Sequence, residues 1–306
     1  MTVSRPRVAI LLSTFNGARF LPAQLDSLLR QTERGWLLLW RDDGSSDETV
    51  AIVEAFAREV GGERCRRVER EGRLGVAGSF YALLAAAQPL GLPVAFADQD
   101  DVWLPEKLSR ALAALAPVER PALYCSRQVL VDDALEPIGG SPPFRRPPSF
   151  AGALTQNIAT GCTVVLNAAA ATLVDRSTKP QGPLHDWWSY LLVAGAGGTV
   201  IADPEPTILY RQHAANLVGA PSTRRRRAIA ALRRGPGAYL AMLRANVAAL
   251  RAASGVLTPA ASQIVVQMDR ALRAGPWARF RALWIPGLRR QTFLEAALFR
   301  IWFLRG

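Results

Sequence analysis

The sequence predicts an α/β fold, with a mixed, mostly parallel sheet flanked by helices and a basic helical region after it. Three observations carry this. Short apolar runs alternate with helix-period segments through the first half of the chain, which is the pattern of βαβ units. Clusters of Asp, Asn, Gly and Ser follow the ends of those runs, where open α/β sheets hold their ligands. Of the 37 Lys and Arg residues, 16 lie beyond Gly219, against only two of the 25 acids, Asp269 and Glu295.

The elements read in order as follows. Val8 to Ser13 is a first strand. The preceding Arg5-Pro6-Arg7 imitates a signal peptide, but the apolar run is too short and Asn16 and Arg19 follow it closely. Pro22 lies in the first turn of a helix with Leu21, Leu25, Leu28 and Leu29 on one face. Trp36 to Arg41 is the next strand, and Ser45-Ser46-Asp47-Glu48 has the form of a capping box opening a helix with Val50, Val53, Ala57 and Val60 on one side. A weaker strand near Arg66 to Glu69 leads to a helix around Ser79 to Ala87. Pro93 to Ala97 is a short buried strand that ends abruptly in Asp98-Gln99-Asp100-Asp101, and Pro105 starts a helix with Leu104, Leu108, Leu112 and Leu115 in register.

The middle of the chain is less regular. Pro137 to Pro148 is a loop rich in Pro, Gly and Arg, long enough to suggest function. Gly161 to Leu166 reads as a strand, Asp186 to Ala194 as a helix, and Thr199 to Ala202 and Thr207 to Arg211 as two more strands. A boundary at Gly219–Thr223 divides a domain of residues 1–219 from a helical region of residues 220–306. Those helices break at Gly235-Pro236-Gly237, near Gly255–Pro259, at Gly275-Pro276 and at Pro286-Gly287. Leu240, Leu243, Val247 and Leu250 form one apolar stripe; Leu294, Ala297, Leu298, Ile301 and Trp302 form another.

Composition bounds the function. The 306 residues are 50% hydrophobic and 20% charged, which excludes a disordered, collagen-like or disulfide-scaffold chain. The net charge of +12 first suggests a nucleic-acid protein, but it is uneven: the first 219 residues hold 21 basic and 23 acidic groups, so the excess belongs to the tail. Cys65, Cys125 and Cys162 form no CxxC pair, which suits a reducing compartment and argues against a cysteine-rich zinc site. The uncharged stretches Val76 to Ala97, Pro147 to Val174 and Trp187 to Ala202 are short or interrupted by Pro, Gly and Asn, so no transmembrane segment is predicted.

Three polar clusters fall at strand ends: Ser13-Thr14-Phe15-Asn16-Gly17, Asp42-Asp43-Gly44-Ser45 and Asp98-Gln99-Asp100-Asp101. The first is also an ordinary turn signal, and the second a turn running into a helix cap. The third is harder to explain structurally, because three carboxylates within four residues repel one another unless a cation compensates them. Mg2+ binds one or two carboxylates plus substrate phosphates. The competing reading is a solvated acidic turn before the helix that follows Pro105.

In their order these motifs resemble glycosyltransferase family 2, the inverting nucleotide-sugar transferases of GT-A (Rossmann-like) fold. The resemblance covers roughly residues 7 to 217. It also rests on Leu74-Gly75-Val76-Ala77-Gly78-Ser79-Phe80, Asp98-Gln99-Asp100-Asp101-Val102-Trp103, His185-Asp186-Trp187-Trp188 and Tyr210-Arg211-Gln212-His213, with Asn216 beyond. The acidic and Tyr-Arg-x-His forms are most similar to rhamnosyltransferase-like members that build bacterial surface polysaccharides.

The resemblance implies roles for particular residues. Thr14, Asn16 and Asp42 belong to the nucleotide site, with Asp43 and Arg73 close to it. Asp98 and Asp100 are the acids of a DxD motif, Asp98 facing the ribose or sugar and Asp100 ligating Mg2+ or Mn2+ on the diphosphate of a nucleotide-sugar donor. His213 completes the metal site, Arg211 pairs with phosphate, and Asp186 is the general base toward a hydroxyl of a glycan or lipid-linked glycan. Two departures stand out. His185 replaces the acidic residue that often precedes the base, and the usual Asn of the middle motif is absent near Arg73-Leu74-Gly75. Trp187 and Trp188 read either as a sugar-site floor or as core, and Asp186 alone reads also as a helix N-terminal acid.

The tail has two readings. Basic amphipathic helices with Trp and Phe match attachment to an anionic membrane surface, which implies a cytoplasmic enzyme peripheral on the inner face of the membrane. Alternatively the stripes pack on the body or a second subunit. Two rival functions are nucleotidyl transfer on a similar sheet, and nucleic-acid binding through the Arg-rich tail. The tail lacks the interleaved aromatics of a stacking platform, so no nucleic-acid partner is expected.

Overall fold

The structure, a computed structural model, describes residues 6–180, 184–213 and 224–306, with side chains from Pro236 onward in the last segment. In chain order it forms β1 (Val8–Thr14), α1 (Leu21–Leu29), β2 (Trp36–Asp42), α2 (Thr49–Val60), β3 (Cys65–Arg67), α3 (Gly75–Ala87), β4 (Val94–Ala97) and β5 (Val102–Trp103). Next come α4 (Lys107–Leu115), β6 (Ala122–Val131), β7 (Pro137–Gly140), α5 (Phe150–Thr155), β8 (Val165–Leu166), α6 (Ala168–Arg176), α7 (His185–Gly195) and β9 (Thr199–Arg211). The chain ends in α8 (Arg224–Ala252), α9 (Pro259–Ala274), α10 (Pro276–Ala282) and α11 (Phe293–Arg305).

The described strands form one mixed sheet in the order β3-β2-β1-β4-β8-β6-β9-β5, with β7 on β6. The βαβ half is parallel, β1 lying between β2 and β4. Beyond β4 the direction alternates, because β8 enters antiparallel to both β4 and β6, while β6 and β9 run parallel. Residues of β1 alternate between the two faces of the sheet. Val8, Ile10 and Leu12 join a core with α1, α2 and α4, whereas Ala9 and Leu11 join a larger one with α3, α5, α6 and α7. Burial on both faces explains why β1 and β2 read as continuous apolar runs.

Several expectations need correction. The capping box before α2 is not made: Ser45 and Asp47 turn instead toward Asp42, Thr49 and Ala18, and the helix starts at Thr49 without a side-chain cap. Strand β6, ten residues and almost wholly buried, was not anticipated, since polar Ser126-Arg127-Gln128 interrupts its apolar pattern. The two strands expected after Thr199 are one, whose register shifts against Ser126–Gln128 absorb Asp203-Pro204-Glu205-Pro206. The loop from Pro137 begins with β7, and Gly161–Thr163 is a 3-10 turn before the short β8.

In the basic region the breaks near Gly255, Gly275 and Gly287 are present, but Pro236 lies inside α8. The stripe Leu240, Leu243, Val247 and Leu250 is buried in the same core as Ala9 and Leu11. The second stripe is misplaced by the sequence reading: α11 buries Phe299, Trp302 and Phe303, and leaves Leu294 and Ile301 exposed. Among the described residues, no helix is long and apolar enough to cross a membrane.

Candidate active site

The parallel register sets Thr14 opposite Asp42, and Leu12 opposite Ala97, so the three polar clusters emerge on the same edge of the sheet. Side chains then knit them together. Gln99 bonds the backbone of Phe15 in both directions, accepting from its amide at 2.8 Å and donating to its carbonyl at 2.9 Å. Gly17 permits this, for a Cβ there would lie 2.2 Å from Gln99 Oε1. Asn16 takes a positive φ of 46°, donates its amide to Ser45 and accepts from the amide of Ser46. Thr14 donates its hydroxyl to Asp42 at 3.0 Å.

The two acids after β2 differ in what they face. Asp42 accepts from the amides of Gly44 and Ser45 and lines a cavity of about 270 Å³ with Arg67, Gly72 and Arg73. The Arg73 guanidinium lies over the Phe15 ring, 4.2 Å from its centre. Asp43 turns inward, bonded by buried Arg41 at 2.7 Å and by the amides of Leu74 and Gly75. Burial pushes its carboxyl up, but these donors outweigh it and hold Asp43 below the usual carboxylate range. Arg41 also holds the Gly72 carbonyl and Ser79, so this pair anchors the loop that carries Arg73.

At the end of β4, burial, then Asp100, then Asp186 push the half-buried Asp98 carboxyl up to about 8. Asp186, on α7, comes near this turn through Gly161 and Cys162: a Cβ on Gly161 would lie 3.7 Å from Asp186 Oδ2, and the Cys162 sulfur lies within 4.8 Å of the Asp98 carboxylate. Asp186 is itself pushed up to about 6 by burial, against hydrogen bonds from the amides of Trp187 and Gly161 and from the Asn157 side chain. Asp100 Oδ2 lies 2.8 Å from His213 Nε2. Arg211 ties the same turn down: its amide donates to Asp101 at 3.1 Å, and its guanidinium bonds the carbonyls of Asp100 and Asp133. Asn216 lies outside the described residues.

The donor set suits a hard cation. The carboxylates of Asp98 and Asp100 and the His213 imidazole, which lies against Asp100, are the oxygen and nitrogen ligand types that Mg2+ and Mn2+ take. A second grouping, Asp98, Asp101 and Cys162, has its ligand atoms within 4.8 Å of one another. Burial pushes both Asp101 and Cys162 strongly toward their protonated forms, so they make a buried wall behind the site. Lys107 backs that wall, with its ammonium 4.0 Å over the Trp103 ring and pushed down to about 7 by burial.

Other sequence readings resolve differently. His185 is sealed between Phe80 and Phe96, ring centres 3.9 and 4.7 Å away, and burial pushes it down to about 3, so it stays neutral beside Asp186. Trp187 and Trp188 are both core: their indoles donate to the Ala153 carbonyl and to Ser177. Gln99, Asn157, Gly161 and Lys107 were missed. Asn157 and Gly161 had one signal, as polar breaks in an otherwise apolar stretch.

With this geometry in hand, the glycosyl transferase family 2 model matches residues 9–165, just over half of the chain. The chain belongs to glycosyl transferase family 2. Among family 2 relatives, the dTDP-rhamnosyl transferase RfbG of Shigella flexneri is 27% identical over 228 residues, covering 68% of this chain and 74% of the relative. The glucosyltransferase WfgD of Escherichia coli, named for UDP-Glc and an α-D-GlcNAc-diphosphoundecaprenol acceptor, is 28% identical over 188 residues, covering 61% and 69%. The fold is of the GT-A kind. S. aureus TarS (residues 1–349), solved with UDP-GlcNAc, superposes with a TM-score of 0.61 at 14% identity, covering 87% of this chain and 72% of that one.

Proposed function

We propose that this family 2 protein transfers a sugar, with inversion, from a nucleotide-diphosphate sugar to a hydroxyl of a growing surface glycan. The observation that carries the reading is the placement of Asp186 against Gly161, whose neighbour Cys162 has its sulfur within 4.8 Å of the Asp98 carboxylate, because transfer requires a base close to the donor. A hydroxyl is a poor nucleophile until a positioned base takes its proton, and burial brings the Asp186 carboxylate nearer the working range of such a base. Asn157 and the Gly161 amide orient it. Asp42 and Arg73 border the cavity suited to the nucleotide, Thr14 and Asn16 bond the turn at Asp42 and Ser45 beside it, and Arg41 and Asp43 stiffen its rim. Asp98, Asp100 and His213 would hold Mg2+ or Mn2+, which when bound neutralises charge on the leaving diphosphate. Arg211 fixes the turn that presents these ligands.

The test is a screen of nucleotide-sugars, led by dTDP-rhamnose and UDP-glucose, for thermal stabilisation and slow donor hydrolysis with Mn2+ or Mg2+. A donor that stabilises only with metal supports the reading. Stabilisation by nucleoside triphosphates with release of pyrophosphate would overturn it in favour of nucleotidyl transfer.

A specific observation also favours attachment to the inner face of an anionic membrane. Trp277, Trp284 and Phe293 are 82%, 77% and 85% exposed, and Phe280 and Leu294 are exposed near them in sequence, among Arg279, Arg281, Arg289 and Arg300. Exposed aromatics among arginines match interfacial binding, whereas the α8 stripe is spent on the core.

A further inference from the structure

A second cavity, of about 360 Å³, lies between the Pro- and Arg-rich loop after β7 and the connector from α10 to α11. Arg145, Arg146 and Arg289 line it. Its walls are tied across the fold. Gln291 Oε1 accepts from the amides of Arg145 and Arg146 at 2.8 and 2.9 Å, the Gln291 amide donates to Gln156 at 3.0 Å, and Arg146 Nε donates to the Arg290 carbonyl at 3.0 Å. Among the described residues no carboxylate forms an ion pair with these three arginines. The acid bonded to this wall, Glu295, divides its oxygens between Gln156 and the cap at Thr292. Arginines on a backbone tied in place, with the Arg146 guanidinium held and no carboxylate pairing the three, are suited to phosphate.

The cavity also adjoins the base. Gln156 and Ile158 line it, and Asn157 between them bonds Asp186. We infer that this cavity is an acceptor-side anion site, which takes a phosphate or diphosphate of the acceptor while the acceptor hydroxyl faces Asp186. The inference rests on the sugar-transfer reading for the word acceptor. Its chemistry, phosphate on arginine, is shared by a diphosphate-linked acceptor and by a membrane headgroup.

Inorganic pyrophosphate is the probe, titrated calorimetrically into the full chain in the presence of a metal chelator. Wild type binds it, and Arg145→Gln/Arg289→Gln weakens binding at least about tenfold, the loss expected for removing charge-assisted bonds. Both side chains are exposed, so the variant keeps the wild-type melting temperature. Equal pyrophosphate affinity in the two proteins overturns the proposal. So does displacement of pyrophosphate by UDP, which assigns it to the donor side. Loss of phosphatidylglycerol-vesicle binding in the variant with pyrophosphate affinity unchanged assigns the arginines to headgroups and also overturns it. Stabilisation of the wild type by a nucleotide-sugar with Mn2+ tests the donor reading separately: its absence counts against sugar transfer, while the pyrophosphate comparison still decides the cavity.

Discussion

His213 Nε2 lies 2.8 Å from Asp100 Oδ2, joining residues 113 positions apart in the chain. The contact follows from pairing of β5 with β9, which carries the end of β9 back over the acidic turn, where Arg211 bonds both Asp100 and Asp101. The histidine therefore arrives at Asp100 through strand register, and its ring packs on Phe20 at 4.8 Å.

If His213 and Asp100 share a cation, His213→Ala raises the Mn2+ concentration needed for half-maximal turnover by about tenfold or more. Metal titration of donor hydrolysis measures this, and a chelator abolishes turnover in both proteins. Unchanged metal dependence in His213→Ala removes it from the site.

Asp186→Asn retains the side-chain volume and the Trp187 contact region but cannot accept a proton. Transfer falls by about 10²- to 10⁴-fold, with donor-induced stabilisation kept. Near wild-type turnover in a folded variant refutes the base assignment.

Asp186 also sets a pH dependence. A base must be ionised, so kcat/KM declines as pH falls through about 6 and levels off above it. Stability runs the other way. Its folded value lies above the unfolded 3.8, so the stability of the protonated carboxyl is present at low pH and is lost as pH rises from about 4 through about 6. Denaturation of wild type against Asp186→Asn across that window shows the difference shifting in favour of the variant.

Gly161 tests the shape of the base site without touching a charge. A Cβ there would lie 3.1 Å from the His185 ring and 3.7 Å from Asp186 Oδ2. His185 is held between Phe80 and Phe96 and has little room to move. Gly161→Ala therefore lowers kcat by about tenfold or more while donor KM changes little. An equal loss in donor affinity would show that the substitution disturbs the whole rim.

Trp284→Ser with Phe293→Ser removes two highly exposed rings and leaves the core intact. Co-sedimentation with anionic liposomes falls several-fold and the melting temperature stays within about 2 °C. Deleting the tail is the poorer experiment, since Leu243, Val247 and Phe303 belong to the same core as Leu11.

Much of the fold was legible because its signals are local. The β1, β2 and β4 runs, Pro22 in the first turn of α1 and the leucine register of α4 each follow from a period of 2 or 3.6 within ten residues or so. Strand β6 was not legible, since the side chains of its polar centre find partners far along the chain: Ser126 bonds Thr207 of β9, Arg127 donates to the Ser141 carbonyl just after β7, and Gln128 reaches the Cys162 sulfur. The α11 face was misassigned for a related reason. Its apolar residues surround the helix, and which of them is buried depends on Tyr239 of α8 packing against Phe299 and Trp302.

By itself, the sequence determined the βαβ order, the polar turns at the strand ends and the excess of arginine after Gly219, all properties of neighbouring residues. Only the tertiary structure decided which of those charges meet. Asp43 and Arg41 are consumed in holding a loop, Arg211 bonds backbone carbonyls, and His185 is sealed in the core, whereas His213 meets Asp100, and Asp186 and Asp98 lie against the adjacent residues Gly161 and Cys162. The physical reason is that ionisation and ligation depend on burial and on distances of a few ångströms, and strand register sets these between residues far apart in the chain.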